Sequence, residues 1–481
     1  MSEQVLALHR VSRRCYDLAG VRTGSVRDQL LRSTMVVNAL ASEGLIGRGR
    51  ALLVYGAGPA GMNAAMQAAA HHADVTVIER AAVKFSTISA AWWRRVDATE
   101  YDWPHNHWKA GVFPFRGTIP LMQTSTSSGL SLALGWDRAW QTFDQSRNGQ
   151  FGSGKVNVIH NLDAAALHPT ETPTLLDVRG RWTPGPAPDQ TRSFGALLSC
   201  IGHGDEQVTE VPLHGHWHGY AGPGFWTHSD GIAAGKSLPE GVRNVVISGA
   251  GDGGMQDFQR VTTSRCGAEL LALLGDVARD YEVHNAASNV PIYPTAPLEQ
   301  WLLSADEAGR RAFSWAPGRH GAPAALMKWH GDFETQIEAF VQRWPPALAT
   351  HVARCLFRRE AFENQLAVRW VMREPTPGYA YALNRYLVIL LKALADLVLP
   401  GRFTVYPSSA IGEIVPVNHT CHHAPDCIGK THRVRIDTAN MAPTPCLAEL
   451  IIIRHGVEPR PLLLSGRLPV QEQISPFDLP G

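Results

Sequence analysis

The feature that most constrains the fold is the segment 51–80, in which a glycine-rich turn lies between two short apolar runs. The first run, residues 52–55, leads directly into the turn at 56–61, and an alanine-rich stretch follows. The second run, residues 75–78, ends at Glu79. This order of strand, glycine turn, helix, strand and acidic residue is typical of the βαβ unit that binds dinucleotides.

Each glycine of the turn has a separate physical task. Gly56 permits the tight turn, Gly58 lets a pyrophosphate approach the backbone, and Gly61 allows the helix to pack closely on the sheet. Pro59 and Ala60 open the helix, whose N-terminal N–H groups and dipole favour a phosphate. These five residues are therefore predicted to bind the cofactor.

An acidic residue closes the unit. Glu79 stands where a carboxylate can accept hydrogen bonds from ribose hydroxyls, and Arg80 follows it. A 2′-phosphate here would meet the like charge of Glu79. The first site is therefore predicted to hold FAD or NAD, with Glu79 and Arg80 among the contacts.

Later segments favour FAD. Residues 155–161 form a short predicted strand, and another predicted strand, 194–202, ends at Gly202. With these features the chain resembles flavoproteins with two dinucleotide-binding domains, the broad glutathione-reductase-like and monooxygenase-like group, over residues 50–255. The resemblance implies an α/β fold with FAD in a Rossmann-type domain, Val158 beside the adenine, and Gly202 where the chain leaves that domain.

A second glycine cluster, Gly249, Gly251 and Gly254, follows the apolar run 244–248. In the resembled flavoproteins the second motif of this kind binds NAD(P)H. The next strand is expected about 20 residues further on, and the candidate Tyr281–His284 comes later than that. A working NAD(P)H site and a vestigial turn near the flavin are the two alternatives.

The segment 84–150 after the first unit is predicted as an insertion, and in the resembled flavoproteins the position of residues 84–109 lies over the flavin. Adjacent arginines are candidates for bidentate contacts with phosphates, and nearby aromatic and histidine side chains are candidates for stacking and proton transfer. A plain core with the arginines on a solvated face is the alternative. The cofactor-binding candidates are Arg94 and Arg95, and the catalytic candidates are Tyr101, His105 and His107.

Two histidine-rich segments are weighed as metal or catalytic sites. For the first segment, the default interpretation is that its histidines are exposed on a loop. The second has five residues between its cysteines, unlike the tight pairs of zinc ribbons, so a loop with free thiols is favoured over zinc or a disulfide. We therefore predict no metal. The first segment comprises His214, His216, His218, His228 and Asp230, and the second His419, Cys421, His422, His423, Cys427 and His432.

The chain is long enough for several domains, and the predicted helices are separated by proline-rich breaks. Helices are predicted over 297–312, 323–343, 347–373 and 379–399. The predicted parts are a helical N-terminal extension (1–48), an FAD-binding domain (49–205), a linker with a second nucleotide-binding-like unit (206–295), a helical cap or insertion (296–400) and C-terminal strands that complete the FAD domain (401–481).

Composition narrows the class of protein. The formal net charge is +1 and no basic stripe occurs, which argues against nucleic acid as a partner. No apolar run reaches membrane-spanning length, and the N-terminal residues lack a secretory signal. Seven scattered cysteines fit a reducing compartment. A cytoplasmic protein without a membrane partner is expected, and homo-oligomerisation is left open.

Together these patterns predict an FAD-dependent oxidoreductase that acts on a small molecule, with NAD(P)H as a second cofactor if the second motif is functional. The chain has no C-x-x-C pair, which argues against thiol–disulfide chemistry. Monooxygenase, dehydrogenase and oxidase are left open. The rivals are a non-catalytic nucleotide-binding sensor or scaffold and a dehydrogenase that uses NAD alone.

Overall fold

A computed structural model describes residues 2–18, 26–105, 108, 119, 121–123, 125–147, 154–202, 204–211, 219–226, 229–284, 290–312, 323–363, 366–378, 381–420 and 426–459. The helices are α1 (Ser2–His9), α2 (Val26–Ser42), α3 (Pro59–Ala70), α4 (Ser86–Ala90), α5 (Gly129–Arg147), α6 (Asp252–Thr263), α7 (Gly267–His284), α8 (Ala296–Ala312), α9 (Pro323–Val341), α10 (Pro346–Leu356), α11 (Arg359–Glu363) and α12 (Ala382–Val398), with 3-10 turns at Glu100–Asp102 and Ala164–Ala166.

The strands form two parallel sheets, each alternating with helices along the chain, and several smaller sheets. They are β1 (Cys15–Asp17), β2 (Leu52–Tyr55), β3 (Val75–Ile78), β4 (Arg95–Val96), β5 (Ser127–Ser128), β6 (Val156–Ile159), β7 (Leu167–Glu171), β8 (Leu176–Gly180), β9 (Gln190–Phe194), β10 (Ala196–Ser199), β11 (Gly204–Glu206), β12 (Thr209–Glu210), β13 (Tyr220–Ala221), β14 (Asn244–Ser248), β15 (Ala367–Val371), β16 (Phe403–Tyr406), β17 (Ser409–Pro416), β18 (His432–Thr438), β19 (Thr444–Ala448), β20 (Leu450–Ile453) and β21 (Val457–Pro459).

The first unit is a parallel sheet with the strand order β1-β10-β2-β3-β6. Its central strand β2 is buried along its whole length, as expected for a parallel sheet covered on both faces. Helix α3 packs against it through small buried residues such as Ala64 and Ala65. The predicted α/β Rossmann-type fold is confirmed. The N-terminal extension, however, is not helical throughout, because it also supplies β1 as an edge strand.

The second unit repeats this arrangement with the parallel order β16-β15-β14-β20. Strand β14 takes the central place that β2 has in the first unit, with β15 and β20 at its two edges. In both units a three-stranded antiparallel sheet comes just before the last parallel strand, β7-β8-β9 before β10 in the first and β17-β18-β19 before β20 in the second. The chain therefore contains two units of closely similar topology.

Three predictions about this second half are wrong. Residues 281–284 lie within α7, and the strand that pairs with β14 is β15, inside the predicted helix 347–373. The C-terminal strands β16 and β20 join the second sheet and do not complete the FAD domain. A helical insertion, α7 to α11, therefore lies between α6 and β15, which explains why no strand follows the second glycine turn at the usual distance.

The insertion and the second sheet share one large apolar core. Helix α12 is its centre, because almost every residue from Ala382 to Leu391 is buried. Aromatic side chains of α9 pack beside it, including Phe333, which is fully buried. Within the described residues, no helix is both long and apolar enough to cross a membrane.

Candidate functional site

A cleft of about 1840 Å³ lies between the two units, at the carboxyl ends of their central strands. Ligands of open α/β sheets bind at this edge. Pockets for a single drug-sized ligand measure about 300–1,000 Å³, so this cleft has room for more than one such molecule. Among the predicted cofactor contacts, its walls include Gly56, Gly58, Pro59, Ala60, Glu79, Arg80, Arg95, Gly202, Gly249 and Gly251.

The first glycine turn has the geometry expected of a dinucleotide loop. Gly56 has a φ of +94°, and a Cβ there would lie 2.6 Å from the carbonyl oxygen of Cys200. A Cβ on Gly61 would lie 1.9 Å from the Gly56 oxygen, so α3 packs against the turn at a distance that only glycine permits. A Cβ on Gly58 would meet no atom within 4 Å, because this residue faces the open cleft.

The second glycine turn is built in the same way. Gly249 has a φ of +128°, and a Cβ there would lie 2.0 Å from the carbonyl oxygen of Arg454, at the end of β20. A Cβ on Gly254 would lie 2.3 Å from the Gly249 oxygen, whereas one on Gly251 would meet no atom within 4 Å. The backbone of the second turn is therefore as closely packed as that of the first.

Both turns lead into helices that lack a side-chain cap. Gly58 is the N-cap of α3 and Gly251 is the N-cap of α6, and neither helix start has a side-chain hydrogen bond to its first N–H groups. Unpaired N–H groups at a helix start, together with the helix dipole, form an anion site. The cleft therefore carries two such sites.

Glu79 lies at the end of β3, on the cleft wall. Its Oε2 accepts a hydrogen bond from the Ala57 N–H at 2.7 Å, and its Oε1 accepts one from the Ala81 N–H at 2.7 Å. These bonds fix the carboxylate beside the first turn. Two oxygens offer about four acceptor positions, so acceptor positions remain for ribose hydroxyls. Val158 lies on β6, beside β3, and does not line the cleft.

The end of β15 carries a polar group that sequence reasoning missed. Arg373 lines the cleft, its side chain is 43% exposed, and it forms an ion pair with the buried carboxylate of Glu210. Glu210 also accepts hydrogen bonds from Ser248 Oγ at 3.0 Å and from His455 Nε2 at 2.6 Å. Burial raises the pKa of Glu210, but His455 and Arg373 outweigh burial and hold that pKa below its ordinary value.

The register of the sheets shows what Arg373 corresponds to in the first unit. Tyr55 pairs with Ile78 at the first turn, and Ser248 pairs with Val371 at the second. Arg373 therefore stands at the place of Arg80, and the place of Glu79 is taken by Met372. No signal in the sequence could have shown this, because β15 lies beyond the insertion.

The prediction for Arg94 is wrong. Its side chain is 2% exposed and does not line the cleft; it lies in a buried cluster behind the wall, where it contacts Asp257 at 3.1 Å and Asp230 at 3.5 Å. Its guanidinium also lies 3.4 Å from the centre of the Phe225 ring. Asp230, weighed above as part of a metal or catalytic site, is 0% exposed and belongs to the same cluster. Such carboxylates satisfy Arg94 without any phosphate.

Arg95 and Tyr101 remain on the cleft wall. Arg95 is 36% exposed and contacts Glu269 at 3.7 Å. The hydroxyl oxygen of Tyr101 accepts a hydrogen bond from Gln256 Nε2 at 2.9 Å. Burial, reinforced by the Glu100 carboxylate, raises the pKa of Tyr101 well above its ordinary value. Tyr101 therefore stays protonated near neutral pH, and its catalytic role stays a prediction.

His105 does not lie on the cleft wall. Its Nε2 contacts the buried Asp306 Oδ2 at 2.8 Å, which ties the first insertion to α8. This contact is structural and does not fit the predicted catalytic role. His107 lies outside the described residues, as do His214, His216, His218 and His228.

Asp252 is the first residue of α6 and lines the cleft next to Gly251. It accepts hydrogen bonds from Asn384 Nδ2 at 2.9 Å and from the Tyr381 N–H at 3.4 Å. Burial outweighs these bonds and raises the pKa of Asp252 to about 6. A negative charge beside an anion site is unusual, and the raised pKa means that this carboxyl takes up a proton at a higher pH than an ordinary aspartate does.

No known protein family matches the sequence, and no curated protein matches it. Similar solved structures include a thioredoxin reductase from Lactococcus lactis, with 10% identity over 86% of this chain and 80% of that chain and a TM-score of 0.39. A bacillithiol disulfide reductase from Bacillus cereus has 9% identity over 85% and 79%, with a TM-score of 0.36. A thioredoxin reductase from T. acidophilum has 12% identity over 86% and 79%, with a TM-score of 0.35. TM-scores this low support no argument about activity, so the function proposed below is based on the residues of the cleft.

Proposed function

We propose that this protein is an FAD-dependent oxidoreductase that takes electrons from NADPH and passes them to a small-molecule substrate. The observation that carries the proposal is the pair of equivalent glycine turns, each with an uncapped helix start, that open onto one cleft. A protein that used NAD alone would need only one of them.

The residues of the first unit fit FAD. The open space before Gly58 and the N–H groups of α3 suit a pyrophosphate, and Glu79 suits ribose hydroxyls. Bound FAD supplies the electron and hydride chemistry. The protein's own contribution is to hold the two dinucleotides at fixed sites and to enclose them.

The second unit fits NADPH better than NADH. An acidic residue at the end of the second strand favours the ribose 2′-hydroxyl, whereas a nearby arginine accommodates a 2′-phosphate. Here Met372 replaces the acid, and the partly exposed Arg373 follows it. We therefore assign NADPH to the second site.

The cleft favours a reaction without an enzyme thiol. Among the described cysteines, Cys200 is the one that lines the cleft, and burial raises its pKa far above the ordinary thiol value. A thiol that stays protonated is a poor nucleophile. This supports electron transfer directly to a small molecule, as the missing C-x-x-C pair already suggested.

The test is an anaerobic titration of the purified protein with NADPH and NADH, followed by the visible flavin spectrum. We expect a yellow protein that NADPH bleaches. A colourless protein that takes up no FAD would refute the proposal and favour NAD-only use. A yellow protein that neither nicotinamide bleaches would also contradict it and would favour a scaffold, or an oxidase reduced by its own substrate.

Variants of the two open glycines assign each cofactor to its turn. Gly58→Val should lose flavin and remain folded, because the new side chain would occupy the space proposed for the pyrophosphate, where its Cβ meets no protein atom. Gly251→Val should keep flavin and lose reduction by NADPH. Gly331→Val is the matched control, since this α9 glycine also has open space around it and does not line the cleft. Unchanged flavin in Gly58→Val would place FAD elsewhere.

The nicotinamide assignment has its own test. Arg373→Ala should raise the KM for NADPH roughly 10- to 100-fold, the equivalent of about 1.5–3 kcal/mol for a charge-assisted hydrogen bond. The KM for NADH should change little. Arg80→Ala, at the equivalent place of the first unit, should leave the selectivity unchanged. Equal changes of both KM values in Arg373→Ala would show that Arg373 only supports the fold around Glu210.

A further inference from the structure

A second polar cluster lies away from the cleft, at one end of the antiparallel sheet β17-β18-β19. His419 follows β17, and His432 begins β18. Their Nε2 atoms lie 3.2 Å apart, and their rings are nearly perpendicular, at 88°. Cys427 is on the loop between them, and its sulfur and one ring nitrogen of each histidine all lie within 4.8 Å of one another.

The backbone fixes which nitrogens of the two histidines carry hydrogen. His419 Nδ1 lies 2.9 Å from the carbonyl oxygen of Val417, and His432 Nδ1 lies 3.1 Å from that of Lys430. A carbonyl oxygen only accepts, so each Nδ1 must donate. In neutral rings both Nε2 lone pairs then face each other at 3.2 Å, which is repulsive unless a proton or a metal ion lies between them.

The spacing suits zinc. With Zn–N bonds of about 2.0–2.1 Å in a tetrahedron, two ligand nitrogens lie roughly 3.3 Å apart. The observed separation of the Nε2 atoms is 3.2 Å. Hydrogen bonds from Nδ1 to backbone carbonyls are the usual way in which metal-binding histidines are oriented. Cys427 and His432 are each 1% exposed, so the group is a nearly enclosed donor set.

Cys427 is disulfide-bonded in the structure, which corrects the predicted loop of free thiols. A disulfide sulfur is not a zinc ligand, because zinc binds the thiolate. We propose that His419, Cys427 and His432 form a three-ligand zinc site that becomes able to bind the metal when Cys427 is reduced, with water in the fourth position. This goes beyond the sequence expectation of no metal, and it is independent of the proposed function of the cleft.

The chemistry balances with a dithiol as reductant. The dithiol transfers two electrons and two protons to the disulfide of Cys427, and it becomes a disulfide itself. Two thiols result on the protein. Binding of Zn²⁺ to the Cys427 sulfur then releases the thiol proton to solvent, and the two neutral imidazoles bind through Nε2 without releasing a proton.

The experiment uses the full-length protein and Zn²⁺ alone. One sample is reduced anaerobically with excess dithiothreitol and desalted, and the other stays oxidised. Both are titrated with Zn²⁺ in competition with a chromophoric chelator. We expect one tightly bound equivalent in the reduced protein and none in the oxidised protein. No binding by the reduced protein, or equal binding by both, would overturn the proposal.

Substitutions and cobalt identify the ligands. Cys427→Ser and His432→Ala should each lose the bound equivalent. Cys446→Ser is the matched control, because this free, buried cysteine lies on β19 of the same sheet and outside the ligand group. Co²⁺ bound to the reduced wild-type protein should show a thiolate-to-cobalt charge-transfer band. Its absence would overturn the site even if a variant failed to fold.

Discussion

Replacing Asp257 by asparagine is expected to destabilise the protein by about 3–5 kcal/mol. Asp257 is 0% exposed and accepts hydrogen bonds from three arginines, with distances of 3.1 Å to Arg94 Nη1, 2.6 Å to Arg260 Nη1 and 2.7 Å to Arg454 Nε. Asp230 is the other carboxylate of this cluster. The wild-type cluster therefore holds three positive and two negative charges out of water.

The size of the effect follows from this charge count. Asp257→Asn leaves three buried guanidinium groups with a single carboxylate, and removing one partner of a buried ion pair is much more costly than removing an exposed one. The arginines come from the first insertion, from α6 and from the end of β20, so the same change weakens the contact between the two units. With a total stability of about 5–15 kcal/mol, the loss is a large part of it.

The assay is urea unfolding at pH 7, followed by both tryptophan fluorescence and circular dichroism. Coincident transitions in the two signals justify a two-state fit, from which the free energy of unfolding is obtained. Asp437→Asn is the matched control, because Asp437 pairs with Arg435 at a site where the side chains are 42% and 40% exposed. That change should cost no more than about 1 kcal/mol. A loss for Asp257→Asn as small as the control's would refute the reasoning.

The difference in unfolding free energy between wild type and Asp257→Asn should depend on pH in a definite direction. Burial raises the pKa of Asp257, but Arg454, Arg94 and Arg260 outweigh it and hold that pKa far below its ordinary value. A depressed pKa stabilises the fold above the pKa of the unfolded chain, about 3.9. The gap between wild type and Asp257→Asn should therefore be complete at neutral pH and should shrink below about pH 4.

Two further predictions concern the glycine turns and their neighbour. Gly61→Ala should lower the free energy of unfolding of the cofactor-free protein by about 2–3 kcal/mol, measured in urea, since its Cβ would overlap the Gly56 oxygen. Gly58→Ala should lower it by less than about 1 kcal/mol. Equal losses in the two variants would contradict the turn geometry. Asp252→Asn should stabilise the protein above pH 6 by up to roughly 3 kcal/mol, because burial raises the pKa of Asp252 to about 6 and the buried carboxylate is costly once ionised. The gain should disappear below about pH 4, and a gain that does not depend on pH would show that ionisation is not its cause.

The first unit was predictable because its signals are local. Gly56, Gly58 and Gly61 lie within six residues, and the strand that ends at Glu79 follows after a single helix. Each of these positions has a backbone requirement that few other residue types meet. The prediction of an α/β fold rested on them and is confirmed.

The second unit was only partly predictable because its strands are far apart in the sequence. Strand β15 has the sequence Ala-Val-Arg-Trp-Val and follows helical segments, so periodicity cannot distinguish it from the end of a helix. The ligand pair His419 and His432 meets only because β17 and β18 are antiparallel neighbours. Arg94 was misassigned because its carboxylate partners come from segments 136 and 163 residues later.

The helical insertion of the second unit also sets an order of events during synthesis. Every strand of the first sheet has been made once Ser199 is added. In the second sheet, Asn244 at the start of β14 bonds to Glu449, beside β20, which is added 205 residues later. At roughly 5–20 residues per second, that interval lasts about 10–40 s. During it the central strand of the second sheet has both edges unpaired until β15 is made and one edge unpaired after that, and an unpaired edge is a template for association with other chains. Nascent chains stalled in this interval should therefore carry a complete first sheet and depend on chaperones to protect the second.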